Sequence, residues 1–380
     1  MTMSLVSPDI DPRSADLRQR LTSPDAGVRR VALLDFADVE DEALLPALVT
    51  VLRGDPDPAL RAEAARALAG WGDGEVVEAL ADALADEAEV REAAAQSLAE
   101  LKDAEAGARL VPRVGHADGF VSAAALRALK ELRVPAAAVP ATAALAHVDP
   151  AVRREAVGVL GWLKHAAALP ALARLAIGDE DAEVRRAAAG ALGLAAAGDA
   201  PSVLPALCAA LRDPAWQVRE EAATTLGKLG QIAIGHGSGA DAINAVNAAS
   251  AVNAGGAANA PGAVNEVNDV NGAIDAGEAS WGNEGSRATE PTVALRQAMT
   301  DAYWQVRLRA ARSLGRLRDV AALPVLIEAL AHRAGNLRKE AAIALGEIGD
   351  PRALPALEAA DADPDPEVRK AARLARQRLS

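Results

Sequence analysis

The chain of 380 residues is 51% apolar but only 2% aromatic, and it carries a formal charge of −13. Eight aromatic side chains cannot fill the several conventional cores that this length would otherwise require, so a repeat array has to be considered first. The acidic balance argues against a nucleic-acid partner and against docking on an anionic membrane, since both need a basic face.

In chain order, residues 1–13 (MTMSLVSPDIDPR) have no basic stretch followed by an apolar one, and are expected to be a disordered N-terminus. No run of 18 apolar residues follows anywhere, so the expectation is a soluble, cytoplasmic protein. The excess of Arg over Lys suggests a GC-rich bacterial coding sequence.

From residue 14 to 231 one phrase recurs. A turn with Asp and often Pro leads into Val-Arg, two variable residues, and then a form of AAxALG. Its arginines are Arg29, Arg61, Arg91, Arg153, Arg185 and Arg219, and, after an interruption, Arg307, Arg338 and Arg369; Ser122 stands where one is missing. Successive spacings are 32, 30, 31, 31, 32, 34, 88, 31 and 31, which predicts about ten units. Each unit reads as two helices. The first carries phrases such as ALLPALVTVL, AALPALARLA or SVLPALCAAL, with Leu and Ala at amphipathic spacing. The second opens on an Asp N-cap with Pro in the first turn, as at Asp57-Pro58, Asp149-Pro150 and Asp365-Pro366, and is expected to close near Gly193, Gly227, Gly315 and Gly346. A single pair cannot bury its apolar stripe, so neighbours must stack.

The interval of 88 places an insertion at 232–288. Asn244, Asn247, Asn253, Asn259, Asn265, Asn268 and Asn271 share a three-residue period there, with no amphipathic face, so a disordered loop is expected. It reads either as a neutral expansion of a short motif or as a working tether. The phrases DPAWQVRE and DAYWQVRL on its two sides mark sister units, and the array resumes over 289–380.

The phrases VRREAVGVLGWL, VREEAATTLGKLG and LRKEAAIALGEIGD resemble HEAT repeats of the short type first described in phycobilisome (bilin) lyases. The resemblance implies an all-α, right-handed α-solenoid of about ten HEAT-like repeats, with the second helices lining a concave face. It does not fix the function, because such arrays include scaffolds, adaptors, lyases and one class of hydroxylase. The hydroxylase, deoxyhypusine hydroxylase, holds two irons on His-Glu pairs directly after the Val-Arg phrase. Here those positions read, among others, Ala62-Glu63, Arg154-Glu155, Arg186-Ala187, Glu220-Glu221 and Lys339-Glu340, with no histidine in any of ten units.

The arginine column reads as a structural ladder. An acid four residues before most of its members (Asp25, Asp57, Glu87, Asp149, Asp181, Asp365) makes pairing with a neighbouring turn possible. His116, His147 and His332 lie six residues before the Arg position, in a column otherwise holding Asp55, Asp179, Asp213, Asp301 and Asp363. A row of metal ligands is one reading. Packed helices about 8–10 Å apart argue against it, because a Zn–N bond is only about 2 Å. No metal, no cofactor and no catalytic residues are expected. Trp216 and Trp304 share one column and read as core plugs. Cys208 is alone, so no disulfide forms within the chain.

The positions left for binding are the two after Val-Arg and one three residues further on. They give a shallow trough floored by Gly158 and Gly190 and edged by Arg154, Glu155, Arg186, Glu220 and Glu221. A mixed-charge groove of this kind suits a peptide or helix from a partner protein. The expectation is a monomeric protein-binding scaffold. A lyase or cofactor-insertion chaperone acting on a partner protein is the alternative.

Overall fold

A computed structural model describes residues 12–196, 198–234 and 291–379. These form 20 α-helices, joined by turns and short 3-10 segments, with no strand among the described residues. The chain divides into two compact units, before and after the Ala168–Leu169 bond. The first unit pairs α1 (Pro12–Leu21) with α2 (Ala26–Val39), α3 (Leu45–Gly54) with α4 (Pro58–Ala67), α5 (Gly74–Ala83) with α6 (Ala88–Ala99), α7 (Ala104–Ala108) with α8 (Gly119–Leu132), and α9 (Ala138–Ala144) with α10 (Pro150–Trp162). The second pairs α11 (Leu169–Gly178) with α12 (Ala182–Ala191), α13 (Ala200–Ala210) with α14 (Trp216–Ile234), α15 (Pro291–Ala298) with α16 (Trp304–Arg316), α17 (Leu323–Ala329) with α18 (Gly335–Ile348), and α19 (Leu354–Ala359) with α20 (Pro366–Leu379).

The entry into each second helix follows from its turn sequence. Asp57 accepts the Ala59 N–H at 2.9 Å and Asp149 the Ala151 N–H at 2.8 Å, while the following proline occupies the first turn, where no N–H is needed. The first helices differ from the continuous helix that their apolar spacing predicts. In α3, α17 and α19 the Leu-Pro step marks the start of the α-helix, and a 3-10 turn precedes it. Asp41, Asp319 and Asp350 cap those turns through the N–H groups of Ala43, Ala321 and Arg352.

Leucine fills the interior of both units. Leu48, Leu60, Leu80, Leu98 and Leu126 are fully buried in the first, and Leu172, Leu207, Leu314, Leu326 and Leu345 in the second. Alanine and glycine bring successive second helices close together. As expected, α16 and α18 close near Gly315 and Gly346, ending at Arg316 and Ile348, whereas Gly227, also expected near a helix end, lies inside α14, which runs on to Ile234. A Cβ at Gly315 would stand 2.7 Å from Ala344 Cα, and one at Gly346 would stand 2.7 Å from Ala375 Cβ. Absence of a side chain is therefore what lets the next helix seat there. The C-cap of α18 is Gly349, at φ 78°.

The expected disorder over 1–13 and 232–288 falls mainly on residues 1–11 and 235–290, outside the described residues. Pro12 and Arg13 belong to α1, and α14 continues to Ile234.

Candidate functional site

The ladder arginines reach forward, from one second helix to the turn of the next repeat. Arg29 forks onto Asp55 at 2.6 and 2.9 Å, Arg61 onto Asp86 at 2.8 and 2.8 Å, and Arg91 reaches Asp118 at 2.6 Å. In the second unit Arg185 takes Asp213, Arg219 takes Asp301 and Arg338 takes Asp363, all at 2.6–3.0 Å. The remaining Nη1 bonds backward: that of Arg185 to the carbonyls of Asp179 and Glu180, that of Arg369 to those of Asp363 and Pro364. Arg153 likewise holds the carbonyls of His147 and Val148. Planar, bidentate pairing is what Arg supplies and Lys does not.

Of the acids four residues before the arginine position, Glu87 pairs with Arg61 at 3.5 Å and Asp118, four before Ser122, receives Arg91, but most of the others are used differently. Asp25, Asp57, Asp149, Asp181 and Asp365 are occupied as N-caps of their own helices. Most receivers stand six residues before the next arginine, and their Oδ1 also accepts the N–H two residues on, as Asp55 does for Asp57 and Asp301 for Tyr303. The histidines of that column perform the second task only. Nδ1 of His116, His147 and His332 accepts the N–H of Asp118, Asp149 and Ala334, each at 3.0 Å. Among the described residues no three His, Cys, Asp or Glu side chains converge as a metal-ligand group.

Forks of a second kind tie successive helices along their surface. Glu155 is buried between Arg127 and Lys130, each at 3.4 Å, and Glu340 is buried under Arg312, which grips it at 2.8 and 2.7 Å. Among the described residues these are the two junctions within a unit whose turn has no Arg–Asp pair at all: α8 to α10, where Ser122 replaces Arg and turns its hydroxyl to the Val114 carbonyl, and α16 to α18, where Arg307 meets His332. A signal was present in the sequence: in both cases Glu follows Arg at an interval of 28.

This places the seven residues expected to bind. In the first unit Arg154 is exposed, Glu155 is buried in the cluster just described, and a Cβ at Gly158 would meet Lys130 Cδ at 3.0 Å. In the second, Arg186 is exposed and paired with Glu183 at 2.6 Å, while Glu220 takes Arg309 at 2.9 Å. A Cβ at Gly190 would stand 3.0 Å from Glu221 Oε1. The glycines are thus partly covered by neighbouring side chains, and Glu155 is an internal counter-ion, not an edge. Trp216 and Trp304 are half-buried at helix starts, and Trp216 stacks on Tyr303 with centroids 5.4 Å apart. Cys208 is buried, and burial pushes its thiol up to about 12, which removes it as a nucleophile at neutral pH. No helix among the described residues is long and apolar enough to cross a membrane.

The model of HEAT repeats matches residues 14–99, 138–227, 176–249 and 292–376. The chain is a HEAT-repeat protein. Residues 90–114 of this HEAT array also match the PBS lyase HEAT-like repeat. No curated protein matches the sequence. Among solved structures, an engineered protein is similar over 97% of this chain and 98% of its own, with 22% identity and a TM-score of 0.52. A chain from the structure of Kap95p with RanGDP is similar over 96% of this chain and 55% of its own, with 16% identity and a TM-score of 0.50. The HEAT array spans about half the length of that chain. At such identities the likeness is one of fold: an α-helical repeat solenoid.

Proposed function

We propose that this HEAT-repeat protein is a scaffold that binds a segment of another protein through the exposed side chains of its second helices. The observation that carries the reading is the division of labour between consecutive arginines. Arg185 is locked into the next turn with 12% of its side chain exposed, whereas Arg186 beside it is 45% exposed. Arg153 and Arg154 divide in the same way. Exposed pairs such as Arg186–Glu183 contribute at most about 1 kcal/mol, so a partner's charges can replace them at little cost. In the second unit Arg186, Gly190, Glu220 and Glu221 form the contact surface; in the first, Arg154 does, with Glu155 and Gly158 setting the shape beneath it. Support also comes from Kap95p, a relative in fold whose binding induces the switch loops of RanGDP to adopt the GTP-bound conformation.

The single, buried Cys208 supports a reducing, cytoplasmic setting. We read the chain as monomeric, as non-catalytic, and as using neither metal nor cofactor. The test is affinity capture on the full chain and on the variant Arg154→Ala, Arg186→Ala, Glu220→Ala. Proteins held by the first and lost from the second, at melting temperatures within a few degrees, support the reading. Equal capture by both sinks it.

A second reading, favoured by the PBS lyase HEAT-like match at 90–114, is a lyase or cofactor-insertion chaperone acting on the partner. A covalent change in the partner that forms only in the presence of the chain would select it.

A further inference from the structure

In the second unit one ladder arginine faces a histidine where its counterparts face an aspartate. Arg185, Arg219 and Arg338 place Nε and Nη2 on the two oxygens of a carboxylate in the following turn. After Arg307 that position is His332. Arg307 Nε donates back to the Asp301 carbonyl, and among the described residues its two Nη groups have no hydrogen-bond partner and no carboxylate lies within 4.0 Å. His332 brings no replacement acid, since its Nδ1 accepts the Ala334 N–H. A cavity of about 410 Å³ lies at this place, lined by Arg307, His332, Thr300, Met299, Val325 and Glu328 among others.

We propose that this cavity binds a carboxylate from outside the chain, gripped by the two Nη groups of Arg307 while its Nε stays on the Asp301 carbonyl. The ligand class is a peptide bearing an acidic side chain or a free C-terminal carboxylate. Met299, Val325 and Leu337 supply an apolar wall for the aliphatic stem. Burial, together with Arg307, Arg333 and Arg338, holds His332 below its ordinary range, so at neutral pH Arg307 is the anchoring cation. The exposed carboxylate of Glu328 at the rim disfavours a second acid on the ligand and selects a single carboxylate on an apolar stem. This site is separate from the surface proposed above and stands or falls independently of it.

The probes are three short peptides titrated into the full chain by calorimetry. One is capped at both ends with a central Glu between leucines, one is neutral with Gln in place of that Glu, and one is all-apolar with a free C-terminal carboxylate. At least one acidic probe should bind ten-fold or more tightly than the neutral one, and which of them does so identifies the source of the carboxylate. Arg307→Gln should abolish the preference. His332→Asp supplies the acid from within, so it should also abolish binding while raising the melting temperature. Equal binding of acidic and neutral probes, or undiminished binding by a folded His332→Asp variant, overturns the proposal.

Discussion

Arg219 on α14 forks onto Asp301 at 2.6 and 2.9 Å although 82 residues separate them in sequence. The same contact elsewhere in the array spans 25–28 residues. Adjacent repeats thus meet here in the ordinary way in spite of the long connection between them.

Deleting residues 232–288 shortens the interval from Arg219 to Arg307 from 88 to 31 residues and leaves the fork in place. Closure entropy changes by about 0.6 kcal/mol per doubling of loop length, so stability should stay level or rise by roughly 1–2 kcal/mol. Urea unfolding checks this. A loss of several kcal/mol would mean that the segment is integral to the fold.

The fork itself carries stability. Asp301→Ala strips Arg219 of its counter-ion and the Tyr303 N–H of its acceptor, in a site where the Asp301 side chain is 9% exposed. Removing one partner of such a pair costs about 3 kcal/mol. Arg186→Ala, at an exposed pair, should cost under about 0.5 kcal/mol. Equal effects in chemical denaturation would refute the distinction between ladder and surface.

Acid should unfold the array through the same carboxylates. Arg61, Arg91 and Arg338 hold Asp86, Asp118 and Asp363 below the usual range. Burial pushes Asp301 up, but the Arg219 fork and the Tyr303 N–H outweigh it and the net shift is downward. A depressed folded pKa gives stability that is fully present above the unfolded value, near pH 3.9, and is lost as pH falls through the folded value. His332, held below its ordinary range, begins to cost stability as pH falls below about 6.5, and the carboxylates add their steadier decline below about 4. A midpoint of unfolding near pH 6 would contradict this.

One substitution should have opposite signs at two glycines. At Gly346 a new Cβ meets the backbone and side chain of Ala375, which cannot retreat without moving α20. Gly346→Ala should destabilise by about 1–3 kcal/mol. At Gly158 it meets only the flexible Cδ of Lys130, so the gain in helix propensity dominates, and Gly158→Ala should stabilise by up to about 1 kcal/mol. Thermal melts of the two variants decide it.

What the sequence disclosed was whatever repeats along one helix or turn. The Arg column, the Asp-Pro entries and the paired helices all follow from a period near 31. Contacts between repeats were harder to read. Two largely acidic columns precede the arginines, both filled with acids before Arg61, Arg185 and Arg369, and only geometry shows that Asp57 is consumed as a cap while Asp55 receives Arg29. Glu155 looked like a surface residue because Arg127, its counter-ion, lies one repeat away. Gly346 read only as a residue near a helix end because what it makes room for, Ala375, belongs to the next pair. The candidate binding residues were legible as variable positions, but their division into exposed Arg186 and buried Glu155 depends on neighbours the local pattern does not contain.

The exchange of turn forks for surface forks has a mechanical consequence. At α8–α10 and again at α16–α18 the helices are clamped along one edge, by Arg127–Glu155 and Arg312–Glu340, while among the described residues the turns at His147 and His332 carry no Arg–Asp pair. Joints built this way behave like doors hung on one side, stiff at the glutamate and compliant at the turn. Each unit contains one. Elastic strain imposed on either unit, by a bound ligand or by an external load, should concentrate at Ser122 and at His332, leaving the repeats on either side to move as stiff blocks.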